Sequence, residues 1–192
     1  GMAFDTKVPM DLKVMKGTRN MAKEPAMTRE EAVQGIEAGI EMVRRLKAQG
    51  YALIATGEMG IGNTTTSSAV ASVLLDQPVE TMTGRGAGLS SEGLKRKVAA
   101  IKKAVDLNRP DPQDPIDVLA KVGGLDIAGM TGVFLGGAAM HIPVVIDGFI
   151  SCVAALAAQR ICPLTRDYMI ASHVSKEPAA VLILKALKKE AV

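Results

Sequence analysis

Residues 57–66 combine glycines, hydroxyls and one carboxylate at a spacing that could bind an anion. The segment reads Gly-Glu-Met-Gly-Ile-Gly-Asn-Thr-Thr-Thr and stands between an apolar run at 51–55 and a small-residue run at 67–75. This order predicts a strand, a glycine turn and a helix. Glycines let the backbone turn tightly beside a ligand, and the first amides of the helix direct unpaired N–H groups toward it. The sequence therefore predicts a phosphate-binding loop.

This loop matches neither of the two familiar phosphate-binding motifs. A Walker loop needs a lysine after its second glycine, and Asn63 stands there, after Gly62. A dinucleotide fingerprint needs a third glycine three residues after Gly62, and that residue is Thr65. We therefore expect a phosphate loop of another kind.

Glu58 is the unusual residue of the loop, because a carboxylate repels phosphate unless it faces something else. One interpretation is that it faces ribose hydroxyls or a developing positive charge. The other is that it only hydrogen-bonds to the backbone of a tight turn. The residues alone leave both open.

Composition narrows the class of protein. A chain of 192 residues that is 48% hydrophobic and has 19 glycines suits one α/β domain with buried parallel strands. Its net charge is only +3, aromatic residues make up 3% and tryptophan is absent, so nucleic-acid binding is not expected. Cys152 and Cys162 form no CxxC pair and have no histidine at metal spacing, so we expect neither a disulfide nor a zinc site.

The sequence predicts neither export nor membrane insertion. The N-terminus has no charged and apolar signal segment, Gly1 is interpreted as an expression scar, and a cytoplasmic location is expected. Residues 127–146 are apolar and long enough to span a bilayer, but His141 and Pro143 interrupt them and Asp126 and Asp147 bracket them. A buried helix followed by a buried strand is the better interpretation.

The elements that must position the loop alternate between helix and strand. Thr28 and Glu31 form a capping box for a helix that runs to about Gln49. Residues 125–140 predict a helix whose glycines allow close packing, and residues 143–148 a buried strand. Further expected elements are strands at 52–55 and 168–171, helices after Ser90 or Ser91, from Asp114–Pro115 to Gly123, at 149–161 and at 178–190, and an irregular segment at 1–27. Together they predict an α/β fold with a doubly wound, mostly parallel open sheet flanked by helices, as in Rossmann-like proteins.

Three further segments supply candidate site residues. A second glycine loop at 83–89 precedes three cations at 95–97, which the helix dipole disfavours unless an anion is nearby; a solvated basic face is the alternative. Asp147 falls at the carboxyl end of the strand predicted at 143–148, where it could face a ligand or cap the next helix. The hydroxyls of residues 172–178 could bind phosphate, while His173 is interpreted as structural.

Several of these motifs occur together in one known family. With residues 57–65, 84–89, 147–150 and 172–178 in order, the chain resembles the nicotinate-nucleotide:dimethylbenzimidazole phosphoribosyltransferases, and residues 17–22 and 25–28 add to the match. The resemblance covers essentially the whole chain. It implies transfer of the phosphoribosyl group of nicotinate mononucleotide to dimethylbenzimidazole, which gives α-ribazole phosphate for the lower ligand of cobalamin and releases nicotinate. It also implies a homodimer without a metal or other cofactor.

The resemblance assigns roles by position. It makes Glu58 a supporting catalytic carboxylate near the ribose, where it can stabilise the positive character that the glycosidic carbon gains as nicotinate leaves. It assigns phosphoribosyl binding to Gly60, Ile61, Gly62, Asn63, Thr64, Gly86, Gly88, Lys97, Asp147 and Ser175.

The chain departs from the family in two ways. Family members are longer: a preceding segment supplies most of the benzimidazole pocket, and a following Gly-Glu-Gly motif supplies the general base. The family also tends to have Gly-His after Glu-Pro, where this chain has Ala179 and Ala180. We therefore expect residues 1–192 to form a single α/β core domain, the central fragment of the enzyme, that is inactive alone, whether cut or naturally short.

Two other functions compete with this one. A non-catalytic nucleotide-phosphate-binding module of the same fold would show activity neither as this chain nor at full length. A nucleotide-dependent oxidoreductase would need a dinucleotide fingerprint, which the two glycine loops do not supply.

Overall fold

The computed structural model describes residues 12–192. Gly1 and the first part of the segment expected to be irregular lie outside the described residues; residues 12–27 contain turns and bends but no helix or strand. The elements are helix α1 (Arg29–Ala48), strand β1 (Ile54–Ala55), helices α2 (Thr64–Leu74), α3 (Val79–Met82), α4 (Ser91–Asn108), α5 (Pro115–Val122) and α6 (Leu125–Ala139), strand β2 (Val144–Ile146), helix α7 (Gly148–Ile161), a 3₁₀ helix (Pro163–Tyr168), strand β3 (Met169–Ala171) and helix α8 (Ala179–Leu187).

The three strands form one parallel sheet in the order β1-β2-β3. Val144 at the start of β2 pairs with Ile54 on one side and Met169 on the other. The predicted open parallel α/β sheet flanked by helices is confirmed. Because the strands are parallel, the loops that follow them all leave from the same edge of the sheet, where ligands bind in open α/β proteins.

Helix α1 begins at the predicted capping box and packs unusually closely on helix α6. The predicted capping box begins α1: the Glu31 amide donates to Thr28 Oγ1 at 3.1 Å, and the Thr28 amide donates to the Glu31 carboxylate at 2.7 Å. A Cβ atom on Gly132 of α6 would lie only 1.9 Å from the Ile36 carbonyl oxygen of α1. The close packing predicted from the glycines of α6 is therefore confirmed.

The apolar run at 127–146 divides between α6 and the buried strand β2, as predicted. Among the described residues, no helix is both long enough and apolar enough to cross a bilayer.

Strands β1 and β2 are shorter than predicted, and three helices also differ from the sequence prediction. Helix α2 begins at Thr64, so the threonines of the loop form its first turn, and Thr66 Oγ1 donates to the Asn63 carbonyl at 2.9 Å. The short helix α3 follows Pro78, where no helix was predicted. Helix α8 ends at Leu187 rather than continuing to 190, because Lys188 adopts a left-handed conformation with φ of +51°.

Candidate functional site

The loop after β1 turns through two glycines and ends in a helix whose N-terminus has no side-chain cap. Gly60 and Gly62 have φ values of +80° and +84°, which side chains disfavour. Asn63 occupies the N-cap position of α2, but its side chain makes no capping hydrogen bond. Its Nδ2 atom instead donates to Asp126 Oδ2 at 2.7 Å. The first amides of α2 therefore receive no acceptor from the cap residue, which suits them to an anion.

The second glycine loop lies directly against the start of α2. Gly86 has φ of +55°, and a Cβ atom there would lie 2.7 Å from Thr64 Oγ1, so only glycine fits without displacement. The Gly86 amide donates to Glu177 Oε1 at 2.9 Å. Gly88, with φ of +103°, follows on the exposed side of the loop.

The basic triplet of α4 separates into two environments. Lys95 and Arg96 are exposed, whereas Lys97 is 6% exposed. The Lys97 ammonium donates to Thr64 Oγ1 at 2.9 Å and to the Gly84 carbonyl at 3.0 Å. Burial lowers the pKa of Lys97, and the nearby negative charge of Glu177 opposes that shift. The Lys97 ammonium thus contacts both glycine loops from their buried side.

The loops after β2 and β3 bring a histidine and two acceptors together. Asp147 occupies the N-cap position of α7 without a capping hydrogen bond, and its Oδ1 lies 3.5 Å from His173 Nδ1. Ser172 Oγ lies 2.9 Å from the same nitrogen and donates to the Ile146 carbonyl at 2.8 Å. The His173 side chain is 50% exposed. It therefore lies half exposed at the edge of the site, beside Ser172 and Asp147.

These loops enclose one cleft of about 500 Å³, which we call the glycine-loop cleft. That volume lies in the range of small-molecule sites. Of the predicted site residues, Gly60, Thr64, Gly86 and Ser175 line the cleft. Gly62 and Gly88 line an adjoining recess of about 290 Å³ that also contains Arg85. The other residues of the cleft wall are Met59, Ala87, His173, Val174, Lys176 and Glu177.

Glu58 lies on the other side of its loop, in a pocket of about 330 Å³ that it shares with Asn63, Ile61 and Asp126. Its Oε2 atom accepts a hydrogen bond from the Gly60 amide at 2.5 Å. The backbone contact of the second interpretation is therefore present. Because the same side chain also lines a pocket and is exposed, the contact is compatible with a second role toward a ligand.

Sequence reasoning missed Glu177 and Asp126 as site residues. Glu177 belongs to the segment 172–178, where the hydroxyls alone were expected to bind phosphate. Asp126 was interpreted only as the boundary of an apolar run. No local pattern connects Asn63 to a partner 63 residues away, so this contact could not be found without the fold.

Size alone would point to a different groove. A groove of about 690 Å³ lies between α8 and the residues that follow it, and it is lined largely by Val174, Val181, Leu184 and lysines. It has no glycine turn and no helix N-terminus. The glycine-loop cleft is smaller, but it has the glycine turns and the helix N-terminus that suit a phosphate.

A parallel sheet whose carboxyl edge holds two glycine loops and an uncapped helix N-terminus is an arrangement by which α/β proteins bind nucleotide or sugar phosphates. Comparison with known proteins narrows this class. The chain belongs to the phosphoribosyltransferase family, whose model matches residues 1–192. This confirms the resemblance found in the motifs.

Relatives with a common name are similar over nearly the whole chain. Nicotinate-nucleotide–dimethylbenzimidazole phosphoribosyltransferase of Acetivibrio thermocellus is 58% identical over 180 residues, covering 94% of this chain and 51% of the relative. The protein of the same name from Ruminiclostridium cellulolyticum is 59% identical over 175 residues, covering 91% and 50%. The chain thus spans about half the length of the curated relatives that it matches.

A solved structure shows the same fold. The crystal structure of CobT from Thermus thermophilus is 40% identical and superposes with a TM-score of 0.93, over 100% of this chain and 57% of that chain.

Proposed function

We propose that this chain is the donor-binding core of an enzyme that transfers the phosphoribosyl group of nicotinate mononucleotide to dimethylbenzimidazole. The uncapped N-terminus of α2, held between two glycine loops and beside the buried Lys97 ammonium, carries the proposal. An anion placed there gains backbone N–H donors, the positive end of the helix dipole and a cation. The names of the relatives supply the two substrates.

In the proposed reaction, the bond between the ribose C1′ and the nicotinate nitrogen breaks, and a bond from C1′ to a benzimidazole nitrogen forms. Nicotinate leaves with the electron pair of the broken bond. The acceptor loses the proton of its other nitrogen to a base that the family resemblance places outside this chain. The product is α-ribazole phosphate.

The residues of this chain serve the donor in that reaction. The glycine-loop cleft holds the phosphate of nicotinate mononucleotide and orients the ribose. Glu58 lies on the other side of the same loop, where its negative charge stabilises the positive charge that develops at C1′ as nicotinate departs. Asp147 and Ser175, on the loops after β2 and β3, complete the phosphoribosyl-binding side.

The last residues of the chain lie beside β3. Ala191 pairs in parallel with Ala171, and the Val192 amide donates to the Ala171 carbonyl at 3.1 Å.

Two measurements test the proposal. Calorimetry of the 192-residue protein with nicotinate mononucleotide should give saturable heat, and a folded sample that gives none at millimolar ligand would contradict donor binding. An assay for α-ribazole phosphate should read zero for this chain and become positive when flanking segments from a relative are added. A longer protein that binds the donor but makes no product would instead favour the non-catalytic module.

In that longer protein, Glu58→Gln should lower kcat on the order of 10²-fold, the scale found when one preorganised electrostatic contact to a transition state is removed. Donor affinity should change little, because the carboxylate lies outside the phosphate cleft. A homodimer in the cytoplasm belongs to the same proposal. Sedimentation of the longer protein checks the dimer, and cell fractionation checks the location.

A further inference from the structure

We propose that Glu177 is a positioning residue of the donor site: its carboxylate joins the loop after β3 to the second glycine loop and serves as the counter-charge of Lys97. The inference rests on the proposed function, because the loops that it joins form the glycine-loop cleft. It assigns a role to a carboxylate that stands, against simple Coulomb expectation, beside a phosphate site.

The two oxygens of the Glu177 carboxylate have different environments. Oε1 accepts the hydrogen bond from the Gly86 amide at 2.9 Å, which ties residues 86 and 177 across 91 positions of sequence. Oε2 is buried and has no hydrogen-bond partner. A Cβ atom on Gly84 would lie 2.1 Å from Oε2, so this oxygen packs directly against the Gly84 backbone. A ligand in the cleft therefore has no access to it.

From Glu177 a continuous chain of contacts reaches the N-terminus of α2. The Gly84 backbone, which Glu177 touches, offers its carbonyl to the Lys97 ammonium at 3.0 Å. The same ammonium donates to Thr64 Oγ1 at 2.9 Å. Thr64 begins α2 and packs against Gly86. The loops after β1 and β3 and the second glycine loop thus meet around one buried cation and one carboxylate.

A glutamine at position 177 could accept the same hydrogen bond from Gly86 and would not bury an unpaired carboxylate oxygen. Leaving such an oxygen without a donor costs free energy, so hydrogen bonding alone does not explain the charge. A charge does matter to Lys97, whose direct partners, Thr64 and Gly84, are both neutral. Burial disfavours its ammonium form, and Glu177 favours it.

Other charges near Lys97 do not fill this role. On its own helix, Lys95 and Arg96 are exposed cations, and Glu92 is exposed one turn earlier. On the second glycine loop, the Arg85 guanidinium turns away to the Leu89 carbonyl and Ser91 Oγ. The first turn of α2 contains no acidic residue. Among residues 12–192, Glu177 is the negative charge that acts on Lys97.

The test follows the titration of the Lys97 side chain by NMR in the 192-residue protein, with its signal assigned from a Lys97→Arg variant. In Glu177→Gln the Gly86 hydrogen bond keeps an acceptor while the charge is lost, so the Lys97 midpoint should move to lower pH. Glu177→Ala should lower the midpoint and also speed hydrogen exchange of the Gly86 amide. Glu92→Gln, which removes an exposed charge from the same helix, should change neither.

An unchanged Lys97 midpoint in folded Glu177→Gln would overturn the inference, and this holds whether or not the protein binds a ligand. Binding of nicotinate mononucleotide adds a second readout. As the pH is raised, the affinity for nicotinate mononucleotide should begin to fall at a lower pH in Glu177→Gln than in the parent protein. Coincident pH profiles would also overturn the inference. If the parent protein binds no donor at any pH, the proposed function fails while the midpoint still decides the role of Glu177.

Discussion

Replacing Gly132 with alanine should destabilise the protein, whereas the same change at Gly129, one turn earlier in α6, should not. A Cβ atom on Gly132 would lie 1.9 Å from the Ile36 carbonyl oxygen and 3.0 Å from the Cα of Gly39, and both of these atoms belong to the backbone of α1. Backbone cannot rotate away as a side chain can. The two helices must therefore separate by about 1 Å, since contacts of this kind below 3.0 Å are essentially not seen.

The expected magnitude combines two opposing terms. Overpacking costs about 1–3 kcal/mol, and a helix-to-helix backbone contact belongs at the upper end. Alanine in a helix interior returns about 0.5–1 kcal/mol relative to glycine. The net loss for Gly132→Ala is about 2 kcal/mol. At Gly129 the nearest atom to a new Cβ is the Gly35 carbonyl oxygen at 3.9 Å, so only the gain remains.

Urea unfolding followed by circular dichroism measures both variants against the parent protein. The midpoint should fall for Gly132→Ala and stay level or rise for Gly129→Ala, with similar m-values for all three. Equal stability of the two variants would refute the close packing of α1 on α6. The Gly132 variant should also bind nicotinate mononucleotide more weakly, because α6 carries Asp126, which holds Asn63 at the start of α2.

Three further predictions concern single groups. Thr28→Ala removes the acceptor for the Glu31 amide and should cost about 1 kcal/mol in the free energy of unfolding, measured in urea. Burial, with Asp147 adding to it, raises the pKa of the Cys152 thiol to about 12, so a thiol reagent at pH 8 should modify half-buried Cys162 first and Cys152 only on unfolding. Because the folded state lowers the pKa of Lys97, the unfolded chain binds that proton more tightly; the parent protein should gain stability relative to Lys97→Met as pH rises toward 10.5, and no gain would contradict the buried ammonium.

Local signals in the sequence predict much of the fold. The capping box at Thr28, the Asp114 cap with Pro115 after it, and the glycine stop at Gly123 each mark a helix end that the structure confirms. These are short-range patterns in which the residues that form the contact lie within a few positions of one another. The predicted end of α8 was wrong, because the cations of this segment fit a helix C-terminus equally well one turn later.

The candidate site was only partly predictable, because most of its contacts join residues that are far apart in the sequence. The loop at 57–66 is recognisable from its glycines, but the partners that shape it come from distant segments. Asn63 donates to Asp126, Lys97 supports Thr64, and Glu177 holds Gly86. Only the packing of the helices on the parallel sheet brings these pairs together.

An NMR titration of the 192-residue protein with nicotinate mononucleotide tests the central claim most directly. Amide signals of Gly60, Gly62, Thr64, Thr65 and Gly86 should shift in a saturable manner, because these residues line the glycine-loop cleft and its adjoining recess. Absence of shifts at millimolar ligand in a folded sample, or shifts confined to the groove beside α8, would contradict a phosphoribosyl donor site at these loops.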